Sequence, residues 1–211
     1  MAQNSKNKQK LQQDDARKIR AFIALPLPAH VTRALGRLQA QLKNFGIRMK
    51  YTDPENIHLT LKFLGDIRAG DAKAVGEKLA EAAAGFSPIE LSAKGLGVFP
   101  GIRKPRVLWA GVAGQTEILE RLQQSVEEAM AGLGFEKENR RFAGHLTLGR
   151  FKGRADSALL SDAIRKYGDF ESDPFMTKSL ELFKSTLAPK GPVYAKLSSH
   201  SLSGEDSGED T

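Results

Sequence analysis

The word His-Leu-Thr-Leu occurs twice in this chain, at residues 58–61 and again at 145–148. It marks a longer repetition. The apolar run Ala21–Leu25 is answered by Val107–Val112, and the strand-like stretch Ile89–Phe99 by one opening at Leu180-Glu181-Leu182. Phe22 to Val107, His58 to His145 and Ile89 to Leu180 are 85, 87 and 91 residues apart. A period of nearly half the chain is an internal duplication, not a short solenoid repeat. Between the strands, Val31, Ala34, Leu35, Leu38, Leu42 and Phe45 recur at helical spacing. So do Ala72, Val75, Leu79, Ala83 and Phe86, then Ile118, Leu119, Leu122, Val126, Met130 and Leu133, and finally Leu160, Ile164 and Tyr167.

This order predicts an α+β fold made as a bilobal internal duplication. Two mostly antiparallel sheets face a central cleft, with helices on the outside. A single catalytic domain is expected over 17–199, with halves at about 20–100 and 105–199. Residues 1–16, rich in Gln, Asn and Lys, and the acidic stretch 200–211 read as disordered tails. The first His strand is expected to run from His58 to Leu64 and stop at Gly65-Asp66.

Composition narrows the function. No apolar run approaches the ~18–20 residues of a membrane span, and the polar first fifteen residues lack the apolar core of a signal peptide. Cysteine is absent, which excludes disulfides and thiolate zinc sites and suits a reducing cytoplasm. The net charge is +7 although Glu205, Asp206, Glu209 and Asp210 lie together near the end. A body this basic points to an anionic partner, with phosphates the first candidate.

Side chains alternate along a strand, so His58 and Thr60 share one face while Leu59 and Leu61 share the other. His145 and Thr147 are arranged likewise, backed by Leu146 and Leu148. The leucines anchor each strand to its helices and leave His and Thr on the open side. Two such strands related by a pseudo-twofold axis bring two imidazoles and two hydroxyls to one cleft. One His can take a proton while the other gives one, because both titrate near neutral pH. The hydroxyls can hydrogen-bond non-bridging phosphate oxygens as charge grows there. A lone His-x-Thr would be weak evidence, but packing alone explains two pairs of leucines and not two matching His. No third ligand sits at metal spacing beside either word, so neither metal nor cofactor is expected. His30 and His200 read as surface residues.

The paired words and the flanking segments FIALPLP, ENIHLTLKFLGD, RVLWAGV, FAGHLTLGRFKG and LAPKGPVY resemble the RNA 2′,3′-cyclic phosphodiesterases, also known as 2′-5′ RNA ligases, of the two-histidine (2H) phosphoesterase superfamily. The likeness runs from about Arg20 to Leu197. It implies that His58 is the proton donor, that His145 is the proton acceptor, and that Thr60 and Thr147 contact the phosphate. It also implies a binding role for Arg150, five residues after the second His. That offset places Arg150 on the wrong face of a regular strand, so the role requires a bulge or a strand end. Gly144 stands where the family commonly has Pro. The implied partner is RNA ending in a 2′,3′-cyclic phosphate, handled by a monomer in the cytoplasm, with reverse 2′-5′ ligation open to the same site. Two alternatives remain at this point. One is a phosphodiesterase for small cyclic nucleotides or 2′-5′ oligonucleotides, and the other a non-catalytic module that binds RNA ends.

Overall fold

The computed structural model describes residues 15–189 and 191–204. In chain order it contains β1 (Lys18–Leu25), α1 (Ala29–Asn44), β2 (Lys50–Tyr51), a 3-10 turn (Pro54–Asn56), β3 (Leu59–Arg68), α2 (Asp71–Ala84), β4 (Ile89–Phe99) and β5 (Val107–Gly114). There follow α3 (Thr116–Ala131), β6 (His145–Arg150), α4 (Ser157–Tyr167), β7 (Phe175–Thr177), β8 (Ser179–Ala188) and β9 (Gly191–Ser201). Three helices bury the stripes expected of them: Val31, Leu35, Leu38 and Leu42 on α1, Val75, Leu79 and Ala83 on α2, Leu119, Leu122, Val126 and Met130 on α3; on α4 Leu160 and Ala163 are buried, while the expected Ile164 and Tyr167 are only half-buried. They pack with Ile23, Leu25, Leu59, Leu91, Leu108, Leu146, Leu148 and Leu182 in one core cluster.

The strands run β7-β4-β5-β6-β3-β1-β8-β9, with β2 paired to β6, and the pairings along this path are antiparallel. The two expected sheets therefore meet. Leu59 pairs with Leu146, which joins the two motif strands at the middle of a single curled path.

The halves of the sequence are not the halves of the sheet. β4 ends the first repeat but pairs with β5 of the second, and β8 of the second pairs with β1 of the first. The cause is local. β4 and β5 are successive antiparallel strands joined by a short connection, and such strands pair as a hairpin more readily than they pair at a distance. Each sequence repeat thus lends a late strand, β4 or β8, to the other.

Three boundaries differ from expectation. β3 does not stop at Gly65-Asp66 but continues to Arg68, because Lys18–Ala21 of β1 pair with it there. The tail predicted over 200–211 does not begin at 200: His200 pairs with Leu180 in β9, and Leu202 is buried in the core, while 205–211 lie outside the described residues. An apolar anchor at 202 holds the strand down, and His200 is consequently half-buried, with Nε2 2.9 Å from the Ser198 hydroxyl. Most of the predicted N-terminal tail lies outside the described residues, but Asp15 and Ala16 are held to the fold, where the Asp15 carbonyl accepts the Gly70 N–H at 3.1 Å.

Candidate active site

Leu59 and Leu146 face each other across the central contact and both are buried. Strand alternation then turns their neighbours His58, Thr60, His145 and Thr147 to the opposite, open face, where all four are half-buried. The structure thus brings both His-x-Thr pairs to one place, on adjacent strands, from opposite ends of a pseudo-twofold.

The two imidazoles are held the same way. His58 Nδ1 lies 2.9 Å from the Asn56 carbonyl oxygen, and His145 Nδ1 lies 2.8 Å from the Ala143 carbonyl oxygen. A carbonyl only accepts, so Nδ1 carries the hydrogen in both rings, and Nε2 is left to take or give a proton. In each case the acceptor is the backbone two residues upstream, so each motif orients its own His.

Aromatic rings fix the remaining freedom. The His58 ring stacks on Phe22 at 4.6 Å between centroids and meets Tyr194 edge-on at 5.1 Å. Phe22 stacks in turn on Phe183. His145 meets Phe99 edge-on at 5.0 Å, with Trp109 at 6.3 Å. The Trp109 indole lies over Gly97, where a Cβ would come within 2.1 Å of the ring, so position 97 admits no side chain. Burial pushes the His58 pKa below its ordinary value. The Asn56 hydrogen bond opposes this shift, and the nearby His145 adds to it.

Arg150 reaches the open face by the bulge its offset demanded. Trp109 pairs with Thr147 and Leu108 with Gly149, so Leu148 is an extra residue on β6. Leu148 and Gly149 are both buried, and Arg150 emerges exposed on the side of His145 and Thr147. Burial pushes the pKa of the Tyr194 phenol up, and the Arg150 charge opposes that shift. The first motif has the same device. Ala24 pairs with Thr60 and Ile23 with Lys62, so Leu61 is the extra residue on β3.

Each half's first helix braces the other half's motif strand. Gln39 of α1 donates to the carbonyl of the bulge residue Leu148 at 2.9 Å and to Thr52 at 2.7 Å. Conversely, Lys62 of β3 donates to the Glu127 carboxylate on α3 at 2.5 Å and to the Glu136 carbonyl at 2.8 Å. Glu127 also accepts the Glu138 N–H, so this pair pins the segment that leads into His145.

Of the flanking cations, Arg103, Lys104, Arg106, Lys152 and Arg154 are exposed on the two loops beside the end of β6. The Phe151 N–H donates to the Arg106 carbonyl and holds these loops together. Arg140 and Arg141 are instead engaged by Glu138 and Glu120. Their surroundings form a concavity of about 300 Å³ that carries four carboxylates and excludes the paired His, a poor seat for phosphate. His30 is exposed at the start of α1. Among the described residues, no three His, Asp or Glu side chains group so as to hold a metal ion, and no helix is long and apolar enough to cross a membrane. The spacing argument did not anticipate the aromatic frame of Phe22, Phe99, Trp109, Phe183 and Tyr194. Those rings come from five strands whose registers no single segment encodes.

The family model described as LigT like Phosphoesterase matches the chain twice, over residues 25–109 and 111–194. The chain belongs to the LigT-like phosphoesterase family. Each matched segment of this LigT-like protein carries one His-x-Thr word. It is similar to a protein of Methanothermobacter thermautotrophicus named RNA 2′,3′-cyclic phosphodiesterase, at 34% identity over 85% of this chain and 97% of the relative. A protein of the same name from Aeropyrum pernix is 36% identical over 77% of this chain and 92% of its own length. Among solved structures, a protein of Thermus thermophilus superposes with a TM-score of 0.74 at 28% identity, covering 89% of this chain and 100% of that one. The fold is also that of E. coli LigT bound to 3′-AMP, with a TM-score of 0.70 over 88% of this chain and 99% of that one at 23% identity.

Proposed function

We propose that this chain hydrolyses the terminal 2′,3′-cyclic phosphate of RNA to a 2′-phosphate by acid–base catalysis between His58 and His145. The observation that carries the reading is the matched pair of imidazoles, each with Nδ1 held by its own backbone and Nε2 free on a shared face. The names of the relatives, at 34% and 36% identity, support the substrate.

In the reaction, neutral His145 takes a proton from water as the water oxygen bonds to phosphorus. The bond from phosphorus to the ribose 3′-oxygen breaks, and His58 protonates that oxygen as it leaves. The Thr60 and Thr147 hydroxyls donate to the non-bridging oxygens, and Arg150 offsets their growing charge. Burial lowers the proton affinity of His58 in the free protein. An anionic phosphate between the rings reverses that tendency, so the acid is charged when substrate is present. A 5′-hydroxyl in place of water would meet the same residues in the same roles, losing its proton to His145 while His58 protonates the departing 3′-oxygen, and would leave a 2′-5′ link.

The loops bearing Arg103, Lys104, Arg106, Lys152 and Arg154 favour a polynucleotide over a mononucleotide, because a longer chain offers them further phosphates. Both motifs come from one chain, so a monomer suffices, and the absence of cysteine together with an RNA substrate supports a cytoplasmic setting. The test is incubation with RNA ending in a 2′,3′-cyclic phosphate in the presence of EDTA, with the terminus identified afterwards. A 2′-phosphate is expected. A 3′-phosphate, or an intact cyclic end, would refute the assignment.

A further inference from the structure

Gln39 is a polar side chain buried on α1, at 7% exposure. Its amide nitrogen donates to two carbonyls, that of Leu148 at 2.9 Å and that of Thr52 at 2.7 Å, so both of its N–H groups are used. The Leu148 carbonyl also accepts the Thr52 N–H at 2.9 Å. Gln39, Thr52 and Leu148 thus close a ring of three hydrogen bonds around the bulge residue, just past the short pairing of β2 with β6. Two residues beyond the bulge stands Arg150, exposed on the open face.

The first motif ties its bulge differently. The residue after Leu61 is Lys62, and its buried ammonium reaches Glu127 on α3. The residue after Leu148 is Gly149, where a Cβ would lie 2.7 Å from the Met49 sulfur. The position after the second bulge therefore has no side chain with which to hold register, and α1 supplies one. The helices keep the trace of this difference. Gln123 of α3 stands 84 residues after Gln39, as Leu119 and Leu122 do after Leu35 and Leu38, and it is equally buried. It donates to Glu127 at 3.2 Å. The same helical position serves both bulges, once through a carboxylate and a lysine and once directly.

We propose that Gln39 is a positioning residue for phosphate binding: by fixing the bulge at Leu148 it turns Arg150 to the face of His145 and Thr147, a role that rests on the phosphate site of the cyclic-phosphate reading above. A strand that loses its bulge, or shifts it by one residue, presents the following side chains to the opposite face. In β6 that would carry the Arg150 guanidinium away from the phosphate. His145 and Thr147 precede the bulge and would keep their places, and each His is held by its own upstream backbone, independently of Gln39. Without the amide, the Leu148 and Thr52 carbonyls each lose a donor in a buried place, which favours a register that pairs them otherwise. Gln39 touches neither the substrate nor the proton, so it acts on phosphate affinity and not on the acid–base pair.

The test is a double-substitution cycle in the full chain, with inorganic phosphate binding read by calorimetry for Gln39→Met, Arg150→Met and the two together. Thermal denaturation checks each fold. Gln39→Met keeps the length of the side chain and removes both donors. It should weaken phosphate about 5-fold or more, the scale of a lost buried hydrogen bond, and should weaken it no further once Arg150 is gone. A merely structural role would lower the melting temperature and leave phosphate affinity unchanged, or would weaken phosphate equally with and without Arg150, and either result overturns the assignment. So does an Arg150→Met protein that binds phosphate unchanged, or an unsubstituted chain that binds none. Gln39→Asn, whose shorter arm withdraws the donor from both carbonyls, carries the same two expectations if Gln39→Met does not fold. Hydrolysis of a 2′,3′-cyclic end is assayed separately on the unsubstituted chain. No turnover beside the expected phosphate cycle would refute the cyclic-phosphate reading and leave the role of Gln39 standing.

Discussion

Replacing Lys62 by Met strands the Glu127 carboxylate. The two side chains are only 5% and 11% exposed and lie in direct contact, so the charge left behind has little water to turn to. Breaking one side of a buried ion pair costs about 3–5 kcal/mol. In a domain of this size each kcal/mol lowers the melting temperature by about 2–4 °C, so Lys62→Met should melt roughly 6–20 °C lower. The Glu136 carbonyl loses its donor as well, which adds to the upper end. The double variant Lys62→Met, Glu127→Gln removes the stranded charge yet keeps an oxygen to accept the Glu138 N–H. It should recover at least about 1–2 kcal/mol of what the single change loses. Thermal and urea denaturation of both variants settle the matter. A single variant within about 2 °C of the unsubstituted protein, or a double variant less stable than the single, would show that no charge is stranded at this site.

Removing either His by Ala should cut kcat about 10²–10⁴-fold with the fold intact, read by single-turnover hydrolysis beside circular dichroism. An active His58→Ala protein would end the role of that ring as acid. Because burial lowers the pKa of His58, the alkaline limb of kcat/KM should lie at a lower pH than an ordinary imidazole gives. The limb should move up in kcat, where bound phosphate stabilises the charged ring, and coincident limbs in the two profiles would contradict this. Arg150→Met should weaken inorganic phosphate binding about 10-fold or more, as expected for a lost charge-assisted hydrogen bond. Titration calorimetry showing unchanged affinity would return Arg150 to the surface. Hydrolysis should survive chelation, and a loss in EDTA restored by zinc or manganese would make the two His metal ligands.

The sequence discloses what depends on local spacing and hides what depends on pairing. The leucines at 59, 61, 146 and 148 declare which face is buried, and this puts His58, Thr60, His145 and Thr147 together before any fold is known. Arg150 is half legible. Its odd offset demands a bulge, but only the pairing of Trp109 with Thr147 and of Leu108 with Gly149 places that bulge at Leu148. The exchange of β4 and β8 is invisible to periodicity, because a repeat in sequence does not say which strand its neighbour will be. β9 is missed for a different reason. Its residues alternate poorly and are mostly exposed at a sheet edge, so little apolar signal marks it except Leu202 just beyond.

The exchanged strands make the two repeats inseparable. A polypeptide ending at residue 100 would carry β4 without β5 and would leave β1 open where β8 belongs. It would also lack Glu127, the partner of Lys62. Such a fragment could complete its sheet only by passing β4 to a second copy and accepting that copy's strand in return. A half-length chain that kept this sheet would accordingly have to be a homodimer, with one His-x-Thr from each protomer. Carrying both halves in one chain replaces an association that would depend on concentration by a fold that does not, and it lets the two halves of the site differ, as they do at Arg150.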